Sequence, residues 1–175
     1  MSKTISFSLS SSSIQAAINE MNAYISGLKS KTKRLQEMIT ESIRWNAQEG
    51  FSSAIADDIY RGGTPPAPDV TVTVEDDGDV TVIIASGKDA VFIEFGAGVY
   101  HNGAAGSSPH PKGAENGYLI GEYGTGVGKR NTWALPGSTK DNPILTHGTP
   151  AAMPMYRGLQ TTLDAIAEMA QEVFG

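Results

Sequence analysis

The sequence predicts an α+β domain, on three observations. Apolar residues recur at helical spacing near both ends of the chain, alternate at strand spacing around residues 70–84, and lose periodicity between 96 and 142. The expected order is N-terminal helices, an antiparallel β-meander, a long glycine-rich loop, and a C-terminal helix packed on the sheet. At 175 residues the chain suits one domain, 1–175, with the stretch at about 96–142 as an interaction loop.

Ile14, Ile18, Met21, Ile25 and Leu28 step by four, three, four and three, one narrow apolar stripe on a first helix. Ser12 with Gln15 reads as a capping box, and Gly27 as a frayed end. A second helix is expected from about Ser30 to Arg61, turning Leu35, Ile39, Ile43, Ala47, Ala54, Ile55 and Ile59 inward. Gly50 is placed to bend it, and Gly62-Gly63 followed by Pro65-Pro66 to stop it.

Val70, Val72 and Val74 alternate with Thr71, Thr73 and Glu75, the pattern of a half-buried strand. Asp77-Gly78 signals a tight hairpin turn, with Val80 to Ile84 as the partner strand. A turn at Ser86 to Asp89 leads into Val91-Phe92-Ile93-Glu94-Phe95, read as a third strand that puts Glu94 on the face of Phe92. In the last helix Tyr156, Leu159, Leu163, Ile166, Ala170 and Val173 repeat at threes and fours, and Pro154 fits the first turn. Glu168 and Glu172 lie where the helix dipole disfavours them, so packing must hold this helix.

Composition narrows the function. With no Cys there are no disulfides, thiolate metal sites or thiol nucleophiles. A net charge of −6 argues against gripping DNA through its phosphates, although an acidic surface lets DNA slide past without adhering. No apolar run approaches the ~20 residues that span a bilayer. The N-terminus lacks the apolar core and cleavage site of a signal peptide, so cytoplasmic synthesis is expected.

Motifs for chemistry are weak. Gly124-Thr125-Gly126-Val127-Gly128-Lys129 resembles a phosphate loop but has Tyr123 where the first glycine belongs and Arg130 where Ser or Thr belongs. His101, His110 and His147 are the three histidines, and loop histidines with Glu94 or Glu115 are the candidate metal ligands. A lone Glu94 in an apolar segment reads as a general base, or as a carboxylate paired with an Arg or capped by backbone N–H groups near Gly96–Gly98. Lys29, Lys31, Lys33 and Arg34 form a basic cluster able to face DNA, an acidic neighbour or solvent. Tyr100, Tyr118, Tyr123 and Trp133, interleaved with loop glycines, are the candidate anchors of a protein interface.

Val91 to Tyr100, with Glu94-Phe95-Gly96-Ala97-Gly98 at its centre, resembles the signature of the tailed-bacteriophage neck family known as head–tail joining, tail-completion or minor structural proteins. His110-Pro111-Lys112-Gly113, Gly117 to Gly121, Tyr123 to Gly126, Gly128 to Trp133 and Thr146 to Tyr156 follow in the family's order, and the likeness spans most of the chain. Ala97, where relatives often carry Thr, is a minor departure. The resemblance implies a non-enzymatic virion subunit without a cofactor. It would form a ring, six-fold in many relatives, that joins tail to head beside a head-closure ring and a tail terminator, around passing DNA and away from any membrane. It adds Glu94, Phe95, Gly96, Gly98, Met155 and Tyr156 to the expected contact residues. The alternatives are a tail-terminator or head-closure ring, a metal-assisted hydrolase using Glu94 and loop histidines, and an adaptor domain binding a peptide along a sheet edge.

Overall fold

A computed structural model describes residues 10–78, 80–98, 108–113, 115–116, 132–135 and 137–175. The elements in order are α1 (Ser11–Ser53), β1 (Ile59–Arg61), β2 (Thr71–Asp76), β3 (Thr81–Ser86), α2 (Ala90–Phe95), β4 (Trp133–Ala134), β5 (Leu145–Thr146) and α3 (Pro154–Phe174). The chain is α+β, with a long N-terminal helix, a two-stranded antiparallel hairpin and a C-terminal helix laid against the first.

The two expected N-terminal helices are one. Helix α1 runs unbroken for 43 residues, about 64 Å at ~1.5 Å per residue. Its cap is Ser10, two residues earlier than expected; the Ser10 backbone is extended and its Oγ accepts the Ser13 N–H at 3.3 Å. Gly27 costs one position of propensity, about 1 kcal/mol, which the flanking helix absorbs. Gly50 does not end the helix either. A Cβ there would lie 2.8 Å from Pro154 Cβ, so this glycine makes room for the start of α3.

Helix α1 stops at Ser53 rather than near Arg61, because the following backbone finds other partners. Asp58 N–H donates to Gly148 O at 2.7 Å and His147 N–H to Asp58 O at 2.9 Å. Ile59 and Arg61 pair with Thr146 and Leu145 in a small sheet of order β1-β5-β4, so Ile59 belongs to a strand. Tertiary pairing overrides the helical spacing of Ile55 and Ile59.

The hairpin is as the sequence predicts. Thr71 pairs with Ser86 and Asp76 with Thr81, and the carboxylates of Asp76 and Asp77 accept the Gly78 and Val80 N–H groups in the turn. The third strand of the expected meander is instead the short helix α2. Ala90, Ile93 and Glu94 are buried while Val91 and Phe92 are 42% and 36% exposed, a three-and-four spacing that appears once Glu94 is counted as an inward residue. Glu94 therefore does not share a face with Phe92.

Helix α3 packs on α1, not on the sheet. Gly50 meets Pro154, Gly158 sits over Ala47 and Ile43, Ser42 Oγ lies 2.9 Å from Thr162 Oγ1, and Arg34 Nη2 reaches Glu172 Oε1 at 2.9 Å, so the helices are antiparallel. Gly158 decides the closeness, since a Cβ there would stand 3.1 Å from Ala47 N and 3.2 Å from Ile43 O. The hairpin takes another face of α1, and Ala47, Phe51, Val72 and Ile93 form the core between them, with Met155 of α3 at its edge. Gln48 ties α1 to β2: its Nε2 donates to Val70 O at 3.2 Å and its Oε1 accepts the Val72 N–H at 2.8 Å.

Candidate functional site

The site builds from α2. Its last turn ends at Gly96, whose φ of 81° favours glycine and whose missing Cβ would lie 3.0 Å from Ala151 Cβ. The chain beyond α2 and the chain before α3 therefore run side by side. Ala97 N–H donates to Thr149 O and Ala152 N–H to Ile93 O, both at 2.8 Å. Gly98 also has a positive φ, 68°.

That pairing aims Glu94 at the start of α3. Its Oε2 accepts the Met155 N–H at 2.8 Å and its Oε1 the Tyr156 N–H at 3.0 Å. These donors lie in the first turn of α3, where helical N–H groups have no partner within the helix. The residue in the N-cap position, Met153, offers no cap hydrogen bond and sits at φ 56°, ψ 46°, a left-handed conformation unusual for a bulky side chain. Glu94 thus supplies from another element the cap that α3 lacks, and as an anion it suits the positive end of the helix dipole.

His110 completes the arrangement from the segment 108–113. Its Nε2 lies 3.1 Å from Glu94 Oε1, its Nδ1 accepts the Lys112 N–H at 3.0 Å, and its ring packs against Phe95 at 4.5 Å and edge-on to Tyr156 at 5.4 Å. Because Nδ1 is spent on a backbone donor, the proton sits on Nε2 and points at the carboxylate. Ser108 secures the same segment, with its Oγ donating to Phe95 O and accepting the His110 N–H. His110 and Glu94 are 8% and 7% exposed.

Of the residues picked from the sequence, Glu94, Phe95, Gly96, Met155 and Tyr156 meet in this one junction, and Gly98 leaves it. Tyr100, Tyr118, Tyr123, His101 and the Gly124–Gly128 run lie outside the described residues, and of Trp133 only the backbone, in β4, is described. Among the described residues Glu94 has neither an Arg partner nor the Gly96–Gly98 backbone as its cap; its donors come from α3 and His110. The sequence reads His110 as a surface or turn histidine or as a loop metal ligand; it is buried instead, and its place between Pro109 and Pro111 is the one hint that it is held rigidly. Among the described residues no three His, Asp or Glu side chains converge as a metal site. No helix among them is long and apolar enough to cross a membrane.

The basic cluster is partly engaged within the chain. Arg34 pairs with Glu172, Lys31 Nζ lies 5.8 Å over the Phe174 ring, and Lys33 stands 4.0 Å from Glu37. Lys29 and Lys33 edge a shallow groove of about 420 Å³ between α1 and the hairpin tip at Asp76 and Gly78.

Chemically, the junction is a clamp. Both oxygens of Glu94 are occupied by N–H donors, and the acceptor nitrogen of His110 is occupied by a backbone N–H. The chain matches no family model, no curated protein and no solved structure.

Proposed function

We propose that this chain is a structural, non-catalytic subunit of the neck of a tailed-bacteriophage virion, assembled in the host cytoplasm. It forms a ring that joins tail to head and lets DNA pass. The observation that carries this reading is how the Glu94-Phe95-Gly96 segment, the centre of the family resemblance, is used. Glu94 holds the start of α3, Phe95 holds the His110 ring and Gly96 lets the two chain segments lie together. A segment spent on fixing the root of a long loop suits a protein whose loop engages its neighbours, and leaves no free base for catalysis.

In this reading the body supplies a heterologous surface that closes into a ring, six-fold by the resemblance. The stretch at 96–142, with Tyr100, Tyr118, Tyr123 and Trp133 as anchors, reaches an adjacent subunit, a head-closure ring or a tail terminator. The net charge of −6 gives a lumen that DNA passes without adhering. The hydrolase alternative draws no support from a Glu94 that holds two backbone N–H groups and His110.

Cryo-electron microscopy of the intact particle tests the proposal. Density for this chain as a closed ring at the head–tail junction is the expected result. Absence from the particle, or a strongly positive inner surface of the ring, would overturn it. A tail-terminator or head-closure ring is separated from tail completion by the chain's position along the particle axis.

A further inference from the structure

The two edges of the hairpin differ. Gln48 meets the β2 edge at Val70 O and at the Val72 N–H. Val72 therefore turns its backbone groups away from β3, and Ala85, its partner in register, turns its own away from β2. The Asp77 N–H, of opposite parity, donates to Val80 O at 3.3 Å, as this alternation requires. Thr81, Ile83 and Ala85 thus present their N–H and C=O groups along the outer edge of β3. Among the described residues no strand lies against that edge.

Open edges are ordinarily guarded by a charge, a proline or a bulge. Residues 81–86 contain no charge and no proline, and they pair with β2 in unbroken register. Ile83 and Ala85 pack against the core, so Val80, Val82 and Ile84 share the other face of the sheet. Val80 and Val82 are 58% and 47% exposed there.

We infer that the outer edge of β3 takes a strand from a second copy of the chain, the segment from Thr4 to Ser10. Two observations fix the occupant. The first is pattern. Ile5, Phe7 and Leu9 alternate with Thr4, Ser6, Ser8 and Ser10, the period of a strand with one apolar face, and the segment carries no charge. Its apolar residues match the row Val80, Val82 and Ile84 in number and spacing. Aligned in either direction, the two rows put Phe7 beside Val82.

The second is reach. Ser10 caps α1, and from Ser10 to Gln36 the helix climbs about 39 Å at ~1.5 Å per residue. Gln36 holds the start of β3 beside it, with its Nε2 donating to Thr81 Oγ1 at 2.6 Å. Ile5, five residues before Ser10, extends from it by about 18 Å at most. A chain therefore cannot lay this segment along its own β3, and the strand comes from another copy.

Donor segment and acceptor edge are different surfaces, so the contact is heterologous, and each copy gives one strand and takes one. Backbone hydrogen bonds supply the adhesion, and the alternating side chains set the register. The inference does not rest on the neck reading.

The chain has no Cys, so introduced cysteines report on this contact alone. Facing residues on adjacent antiparallel strands stand about 4.5–5.5 Å apart, within disulfide reach. Phe7→Cys mixed with Val82→Cys is expected to give a covalent dimer under mild oxidation, at a rate that neither variant reaches alone. The full chain carrying both changes should give a ladder of linked copies. Val82→Lys, at an exposed position, is expected to keep the circular dichroism of the parent. Like Phe7→Asp, it should reduce the mass in light scattering from multiples of 18.4 kDa to that of one chain. No coupling in the mixture, a disulfide closed within one chain, or association that survives Val82→Lys would overturn the inference. None of these results bears on where the chain sits in a particle, which imaging reads separately.

Discussion

The Glu94 carboxylate accepts the backbone N–H of Met155 at 2.8 Å, joining residues 61 positions apart in the chain. With its second bond to Tyr156 it makes the start of α3 dependent on a side chain of α2. Glu94→Gln keeps the shape but removes the charge and turns an amide N–H toward a backbone donor. Hydrogen bonds to buried charged groups contribute roughly 1.5–3 kcal/mol, so a loss of about 2 kcal/mol is expected. Urea denaturation reads it, and an unchanged midpoint would mean that the cap does not hold α3.

His110 is held between a carboxylate and a backbone donor, and this arrangement selects one tautomer of the ring. Nitrogen-detected NMR is expected to show the proton on Nε2, with Nδ1 bare toward Lys112. A proton on Nδ1 in the neutral ring would contradict the geometry.

Two glycines of α1 and α3 should respond oppositely to a methyl group. At Gly158 the added Cβ meets Ala47 N and Ile43 O at 3.1 and 3.2 Å. Overpacking costs typically ~1–3 kcal/mol, more than the ~1 kcal/mol that Ala gains in helix propensity, so Gly158→Ala is expected to lower the melting temperature. Gly27 has nothing within 4 Å of a built Cβ, and Gly27→Ala should raise helicity measured by circular dichroism. Stabilisation by Gly158→Ala would show that the helices can separate at no cost.

Burial pushes the Asp57 carboxyl above its usual value; the hydrogen bond from Thr146 pulls it back, and the charge of Asp89 pushes it up further. A folded-state value above the unfolded one means that the native state holds the proton more tightly. This contribution is therefore favourable at low pH and lost as pH rises from the ordinary carboxylate range through the raised value. Asp57→Asn keeps an acceptor for Thr146 and is expected to raise the melting temperature at neutral pH and to flatten its acid-side slope. A lower melting temperature at pH 7 would show that the charge is needed.

Local signals made the hairpin and α3 legible: alternating valines, Asp77-Gly78, and Pro154 ahead of an apolar repeat. The run of β-branched and aromatic residues at Val91 to Phe95 misled, because a six-residue helix can bury Ile93 and Glu94 together, and period alone cannot separate the two states over so short a span. Gly27 suggested a helix end and Gly50 a bend, yet one lies in open space and the other serves a crossing with Pro154 that no local pattern encodes. Glu94 stood out as a polar residue in an apolar segment. Its partners could not be read, since Met155, Tyr156 and His110 reach it only through the fold.

Gln48 gives the hairpin a finished border. By bonding Val70 O and Val72 N–H it offers β2 the donor–acceptor pair that a neighbouring strand would offer. A peptide adding to that edge would first have to evict a side chain already satisfied there. The start of the strand is thereby closed to edge-to-edge pairing with another chain.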